Sequence, residues 1–381
     1  MSDVAVEGGD APLRVSTLEL FFDLVFVFAI TQLTGILAHE VTVEDGFRVL
    51  LVFGVLWWMY GGYVWLANAR TPSRTPERLL MLVGMAGFLI MGLAIPEAFG
   101  RDGVALGIGY LIVVVVHAWL YQRVNRNIAR IVPFNLAAAL LVIMAGIVKG
   151  GVAYWLWAAA LVVQVLSPFV LPVRGRFDIQ PSHFTERHGA LVIIVLGESV
   201  VDIGIGAEGH PVTVSLALSA VLGLALTAAL WWAYFGAEDD ERAERAMVAA
   251  DPAARPALAL AAYFYAYIPM LLGIVALASG VKEAIVRTGS TLPAGPCVAM
   301  GCGVALFLAG SAAFRHALRI GPERYRLGAA AACLAASWVG VALSVAAQMA
   351  LLTLIVALSL AAERRATLAA ESRAAVDTVE A

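Results

Sequence analysis

The sequence predicts an all-α integral membrane protein with about twelve transmembrane helices in two parallel six-helix repeats. Three observations support this prediction: an apolar composition, a series of long apolar runs, and an aromatic motif that occurs twice. Of the 381 residues, 61% are apolar and only 14% are charged, against roughly 45–50% and about 25% in soluble domains. A soluble chain of this length could not bury so much apolar surface, so lipid must cover part of it. The composition therefore argues against a soluble enzyme and against a disordered or fibrous protein.

Apolar runs of about 20 residues, each long enough for one helical crossing, follow one another along the chain. They cover residues 17–38, 47–68, 79–98, 104–121, 131–149, 152–172, 186–206, 213–236, 257–280 and 295–314. The last run, 326–362, is too long for one crossing, so we divide it near Gly340–Ser344 into two helices. This gives twelve spans, with eleven as the alternative count. The first run carries Glu19 and Asp23 and exceeds the length of a signal-peptide core, which indicates a retained helix.

A short motif indicates an internal repeat. The pattern L-W-W-x-Y-x-G occurs at 56–62 and again at 230–236, and one helix earlier Glu19 aligns with Glu186. Because each half would hold six helices, both halves would insert with the same orientation, as in parallel-repeat transporters. The predicted organisation is an N-terminal segment over 1–16, a first repeat over 17–173, a second repeat over 184–362 and a tail over 363–381.

The distribution of basic residues predicts the topology. With the N-terminus in the cytoplasm, 20 Lys and Arg residues fall in segments predicted to be cytoplasmic and 5 in segments predicted to be outside. Cytoplasmic loops of membrane proteins carry such an excess of basic residues. Both termini and the loops 69–78 and 173–185 are therefore expected on the cytoplasmic side.

Two blocks of sequence resemble the low temperature requirement A (LtrA) family. The first is E-L-F-F-D-L-V-F-V-F from Glu19, and the second is H-F-T-E-R-H-G from His183, followed by L-G-E-S at 196–199. The resemblance covers nearly the whole chain, from Leu18 to about Ala362. It implies a multispan protein of the bacterial cytoplasmic membrane, and it implies no particular biochemical activity.

Two acids stand out in the first span. Glu19 and Asp23 are spaced i,i+4, so both carboxylates lie on one face of the helix. Charged groups in a membrane are retained when they are paired or when they line a pathway. Arg14 or Arg187 could supply the pairing cation. The two acids therefore form either a salt-bridge lock between the first and seventh helices or a site that handles an ion or a proton.

The seventh span opens with a charged motif. Glu186 and Arg187 are adjacent, so they face different directions and each needs its own partner. We expect Glu186 to pair with Arg14, and Arg187 to pair with an acid of the first span. His183 precedes Glu186 by three residues, which resembles half of a metal site, but no second group of ligands completes it. A structural role for these residues is therefore favoured and no metal site is predicted.

Glu198 is the strongest candidate for a transport or ion pathway. It lies about ten residues into the seventh span, close to the middle of the bilayer. Ser199 adjoins it and Asp202 follows on the same face, and the repeat aligns Glu198 with Thr31, next to Gln32. An acid at this depth beside hydroxyl and amide groups suits a cation or proton pathway. The alternative is a protonated core residue with a structural role.

Two further polar groups lie inside the spans. His117 follows four valines in the fourth span and is either a packing residue or a proton relay. Trp57 lies in the middle of the second span, so its indole N–H needs an acceptor, for which Asp23 and Gln32 are candidates. The three cysteines, Cys297, Cys302 and Cys333, lie in apolar runs and are interpreted as small core residues. No cofactor and no catalytic residues are predicted.

These features favour a transporter or channel for a small solute or ion that uses intramembrane carboxylates. The sequence contains no P-loop, nucleophile elbow, H-E-x-x-H motif or dinucleotide-binding motif. Two alternatives stay open. One is a membrane-embedded enzyme acting on a lipid or apolar metabolite, with Glu198 or His117 as acid or base, and the other is a non-catalytic membrane stress or assembly factor. The expected partners are the lipid bilayer and a small solute or ion, and homo-oligomerisation stays open. The net charge of −3 argues against nucleic acid.

Overall fold

The computed structural model describes residues 15–37, 41–70, 74–125, 130–170, 179–236, 239–287 and 290–380. Throughout these ranges the chain forms helices and turns and no β-strand. The prediction of an all-α fold is therefore confirmed. Arg14 lies outside the described residues, as do residues 1–14 and 173–178 of the segments 1–16 and 173–185 that the topology prediction uses.

Fifteen α-helices follow one another in the described part of the chain, and a π-helical segment, Leu260–Tyr265, joins the tenth to the eleventh. In chain order they are α1 Thr17–Leu37, α2 Val43–Ala69, α3 Thr75–Ala94, α4 Gly103–Gln122, α5 Val132–Val148, α6 Gly150–Val170, α7 Pro181–Ala207, α8 Val214–Phe235, α9 Asp239–Ala249, α10 Arg255–Ala259, α11 Tyr267–Ala284, α12 Ala294–Leu318, α13 Arg324–Ala336, α14 Val339–Ala342 and α15 Val345–Glu380. Among the described residues, 11 helical segments are long and apolar enough to cross a membrane, and α5 is a shorter apolar helix. This agrees with a count of eleven or twelve spans.

The last apolar run is divided where Gly340–Ser344 predicted a break. Helices α13 and α14 end before Ser344, and α15 begins at Val345. The Ser344 hydroxyl accepts a hydrogen bond from the backbone N–H of Ala347 at 3.2 Å, as a residue capping the start of a helix does. Two threonines have the same function at the start of α2 and α8, because Thr42 accepts from Asp45 N and Thr213 accepts from Leu216 N.

Two polar segments outside the predicted spans are helical. The segment 237–256, between two predicted spans, contains the 11-residue helix α9. The backbone of α15 continues through the predicted tail to Glu380. Glu363, the first residue of that tail, is buried. Both segments are polar in composition, so the sequence alone did not indicate that neighbouring helices bury one face of each.

The order of packing is similar in the two halves of the chain. In the first half α1 packs on α3, α3 to α6 pack in sequence, and α2 contacts α6. In the second half α7 packs on α11, α11 packs on α12, α12 on α13, α13 on α15, and α8 contacts α15. Helix α1 also contacts α7 and α11 across the predicted boundary between the halves. The superposition of the two halves and the division at 17–173 and 184–362 stay predictions.

The recurring aromatic motif has different surroundings in the two halves. Trp57 is 1% exposed, whereas Trp231 at the equivalent position is 42% exposed. The tyrosines of the motif, Tyr60 and Tyr234, are both buried. The tyrosine of the motif is therefore buried in both halves, whereas its first tryptophan is buried only in the first half.

Helices α11 and α12 approach closely through glycines. A Cβ atom on Gly273 would lie 2.5 Å from the carbonyl oxygen of Gly303, and one on Gly303 would lie 2.5 Å from the backbone nitrogen of Leu277. Real Cβ atoms do not tolerate such distances, so both positions require glycine. Small residues at helix interfaces are the usual means by which membrane helices bring their backbones together.

Candidate functional site

The buried face of α1 carries two carboxylates. Glu19 and Asp23 share this face with Phe22 and Phe26, and all four are buried. The Ser16 backbone N–H and hydroxyl donate to Glu19 Oε2 at 2.7 and 2.9 Å. Glu19 is therefore held at the start of the helix, and Asp23 lies one turn deeper on the same face.

Arg187 of α7 lies between these two acids. Its Nη2 donates to Asp23 Oδ1 at 3.1 Å, and its Nη1 is 3.6 Å from Glu19 Oε1. All three side chains are 0% exposed. We call Glu19, Asp23, Arg187 and the neighbouring His183 the α1–α7 cluster.

The neighbouring Glu186 lies outside this cluster. It is exposed, and its Oε2 accepts from the backbone N–H of Val15 at 3.4 Å. Its predicted partner, Arg14, is outside the described residues. The predicted pairing of Glu186 with Arg14 therefore stays a prediction.

His183 completes the cluster, and its hydrogen bonds determine its protonation state. The Asn68 side chain is oriented by the backbone of Gln180, which donates to Asn68 Oδ1 and accepts from Asn68 Nδ2, both at 3.0 Å. Asn68 Nδ2 is therefore a donor, and it faces His183 Nδ1 at 3.2 Å. A neutral histidine accepts at one ring nitrogen and donates at the other, whereas a protonated one donates at both. His183 is thus neutral in this arrangement, and its Nε2 donates to Glu19 at 3.3 Å.

Aromatic rings enclose the α1–α7 cluster. The Tyr60 hydroxyl of α2 donates to Asp23 Oδ1 at 2.9 Å. The guanidinium carbon of Arg187 lies 5.8 Å from the Phe22 ring centre and 6.0 Å from that of Tyr60. Asp23 Oδ2 has no hydrogen-bond partner among the described residues. Glu19 Oε1 also lacks a hydrogen bond but lies 3.6 Å from Arg187 Nη1 and 3.3 Å from His183 Nε2. The cluster is therefore shielded from water, and Asp23 Oδ2 is free to accept a proton or a cation.

The predicted pathway residues of α7 differ in burial. Glu198 is half-buried, whereas Ser199 and Asp202 are each 1% exposed. On α1 the Thr31 hydroxyl donates to the Val27 carbonyl of its own helix at 3.1 Å, and Gln32 is half-buried. The hydroxyl beside Asp202 is that of Thr34. The structure thus brings α1 against Asp202, through a residue that the sequence analysis did not name.

His117 packs against aromatic rings and a glycine. Its ring lies 5.3 Å from the ring centres of both Tyr63 and Tyr121. A Cβ atom on Gly62 would lie 2.9 Å from His117 Nε2, so the glycine provides the space that the imidazole occupies. This environment provides packing for His117, and its role as a proton relay stays a prediction.

The predicted acceptors for Trp57 were wrong. Its indole N–H donates to the backbone carbonyl of Phe264 at 3.1 Å, and not to Asp23 or Gln32. Phe264 lies in the π-helical segment, where the α-helical pattern of hydrogen bonds is interrupted and a carbonyl can accept from a side chain. The sequence could not predict this acceptor, because no amino-acid composition identifies a π-helical turn.

A second buried ionic group was missed by the sequence analysis. Asp239 of α9 accepts two hydrogen bonds of 2.8 Å from Arg315 of α12. Arg326 of α13 lies 3.0 Å from Asp239 and 3.2 Å from Glu363 of α15, and Arg315 lies 2.5 Å from Glu363. All four side chains are buried. We call them the Asp239 network. Arginines at the ends of two apolar runs were the available signal, but they were counted only as basic loop residues.

Taken together, the apolar helices and the buried ionic groups define a polytopic α-helical membrane protein. The chain belongs to the bacterial low temperature requirement A protein (LtrA) family, whose sequence model matches residues 14–361. The family prediction is therefore confirmed. The chain is also similar to an uncharacterized protein of Rhizobium meliloti (strain 1021), with 29% identity over 283 residues that cover 70% of this chain and 68% of that protein.

Proposed function

We propose that this protein transports or conducts a small solute or ion across the bacterial cytoplasmic membrane, and that the α1–α7 cluster binds a proton or a cation in the process. The observation that carries the proposal is the charge of the cluster. Two carboxylates face one guanidinium, and the hydrogen bond from Asn68 keeps His183 neutral. One negative charge is therefore in excess.

An excess charge at a fully buried position has a large free-energy cost. A buried charge is normally paired, coordinated by a metal ion or neutralised by a change in protonation. Asp23 Oδ2 is the atom at which a proton or a cation would be bound, because it lacks a hydrogen-bond partner in the described part of the chain. Glu19 Oε1 is also without a hydrogen bond, but it faces Arg187 and His183. Reversible neutralisation of one buried carboxylate is the elementary step that ion-coupled transport needs.

The arrangement of helices supports transport. The similar packing order in the two halves and the threonine caps of α2 and α8 agree with a parallel repeat. Transporters with such repeats bind substrate and coupling ions where the repeats meet. The α1–α7 cluster lies between the first helix of each predicted half. The excess of basic residues in alternate loops supports cytoplasmic termini.

Ion flux into proteoliposomes tests the proposal. The vesicles contain a pH-sensitive dye, and a membrane potential is imposed on them in the presence of an H⁺, Na⁺ or K⁺ gradient. Protein-free vesicles give the baseline. We expect flux above the baseline for the wild type and at least a tenfold loss for Asp23→Asn, which keeps the shape of the side chain. The control Glu241→Gln removes an exposed acid of α9 and should have no effect. Wild-type flux equal to the baseline, or an Asp23→Asn variant equal to the wild type, would contradict the proposal.

A further inference from the structure

A second polar group lies at the opposite end of the interface between α1 and α7. Glu19 and Asp23 contact His183 and Arg187 near the start of both helices, and Thr34 lies beside Asp202 near their ends. The two helices therefore run in the same direction. Thr34 follows Asp23 by 11 residues, which is about 16 Å along a helix. Asp202 is thus well separated from the α1–α7 cluster.

Helix α11 packs against α7 and runs parallel to it. Near the start of α7, Thr185 is hydrogen-bonded to Tyr263 at 3.1 Å. Near its end, a Cβ atom on Gly206 would lie 2.7 Å from the carbonyl oxygen of Lys282. The two contacts align α7 with α11, so Ser279 lies at the level of Asp202, one turn before Lys282. Three parallel helices therefore place Ser199, Ser279 and Thr34 within about one helical turn of Asp202 in depth.

These side chains are buried and their oxygen atoms lack partners. Ser199, Asp202 and Ser279 are each 1% exposed. Neither Asp202 carboxylate oxygen nor either serine hydroxyl has a hydrogen-bond partner among the described residues. The Thr34 hydroxyl lies beside Asp202 and donates to the Thr31 carbonyl at 2.7 Å. A positive charge among these oxygen atoms would neutralise the Asp202 carboxylate.

We propose that Asp202, Ser199, Ser279 and Thr34 form a binding site for one alkali metal cation, here called the Asp202 site. A single proton would engage only one of these oxygens and leave the serine hydroxyls without partners, whereas a metal cation takes several oxygen ligands. The inference deepens the proposed transport function and rests on it, since it names the class of ion that the membrane-embedded carboxylates would bind.

The charges around the site favour a monovalent cation. Divalent cations such as Ca²⁺ are bound by several carboxylates and carbonyls. In the described part of the chain, no group of three or more His, Cys, Asp or Glu side chains could hold a metal ion. Of the described carboxylates on α7 and α11, only Asp202 is buried. The charged groups that act on it are Lys282 of α11 and the half-buried Glu198 of its own helix.

Lys282 has a specific role in this arrangement. Its ammonium group influences Asp202 electrostatically but is not among the ion pairs closer than 4.0 Å that the described residues form. The positive charge of Lys282 therefore opposes the binding of a cation at Asp202.

Equilibrium binding of ²²Na⁺ to the purified full-length protein in detergent tests the proposal. We expect saturable binding of about one ion per chain, at least a tenfold weaker affinity in Asp202→Asn, and a several-fold weaker affinity in Ser279→Ala. Lys282→Met should bind Na⁺ several-fold more tightly, because the competing ammonium is gone. The matched control Glu208→Gln removes an exposed acid at the end of α7 and should bind like the wild type.

Several results would overturn the inference. The first is the absence of saturable Na⁺ binding in both the wild type and Lys282→Met. The second is Na⁺ binding that survives Asp202→Asn, and the third is binding that is lost in Glu198→Gln but not in Asp202→Asn. Size-exclusion chromatography shows whether Asp202→Asn is folded, and Ser279→Ala tests the site even if it is not. Because binding is measured without vesicles, Na⁺ binding without flux would refute only the proposed transport. Flux without Na⁺ binding would refute only this site.

Discussion

The Asp239 network should contribute strongly to stability, and Asp239→Asn is the substitution that tests this. The variant keeps the size of the side chain and removes one of two carboxylates that face two buried guanidinium groups. Asp239 accepts two 2.8 Å hydrogen bonds from Arg315 and lies 3.0 Å from Arg326. Without the charge of Asp239, Glu363 would be the only carboxylate of the network facing the two buried arginines. Removing one partner of a buried ion pair typically costs about 3–5 kcal/mol, and we expect a decrease of this size in the free energy of unfolding.

Unfolding in mixed detergent micelles, followed by circular dichroism, measures this effect. The matched control is Glu241→Gln on the same helix, whose ion pair with Arg245 is 3.4 Å long and whose two side chains are 64% and 62% exposed. An exposed i,i+4 pair contributes only about 0.3–0.5 kcal/mol. A double variant that also replaces Arg315 with methionine restores the balance of charge and should recover part of the loss. If Asp239→Asn were as stable as Glu241→Gln, the network would not stabilise the fold.

Three further predictions concern the pathway, the topology and the packing. Glu198→Gln should leave folding intact and abolish ion-dependent flux in proteoliposomes, and unchanged flux in a folded variant would remove Glu198 from the pathway. In a variant without native cysteines, single cysteines placed in the segments 69–78 and 173–185 should react only with reagents that reach the cytoplasmic side, and labelling of 173–185 from outside would refute the topology. Gly303→Ala should reduce stability by about 1–3 kcal/mol through overpacking against α11. Gly197→Ala, where a Cβ atom would meet nothing within 4 Å, should not reduce stability, and equal effects of the two would refute the close approach.

The sequence predicted the helices well, because their length and apolar composition are set by the thickness of the bilayer. The run 186–206 became α7, which begins at Pro181, and the division of the last run at Gly340–Ser344 was found where it was expected. The closeness of Glu19, Asp23 and Arg187 followed from a simple requirement, since buried acids need a cation.

Other contacts could not be predicted, because hydropathy does not show which side of a helix meets a neighbour. Glu198 and Asp202 lie one turn apart on α7, and the sequence favoured Glu198 because of its depth. In the structure Asp202 is fully buried and Glu198 only half-buried, because Thr34 and the last turn of α11 lie at the level of Asp202. In the same way, Asp239 and Glu363 belong to polar segments, and only the approach of α12 and α13 makes them buried partners.

The α1–α7 cluster and the Asp202 site are separated by an apolar seal. Between them α1 presents Phe26 and Ile30, and α7 presents Val195, each no more than 1% exposed. The Phe26 ring also stacks on Tyr60 with 4.0 Å between ring centres, so the seal continues into α2. An ion cannot cross such a layer without a rearrangement of helices, because it would lose its hydration there. If both sites serve one pathway, this conformation is closed between them. A closed layer between two charged sites favours a transporter that alternates between states over a continuously open channel.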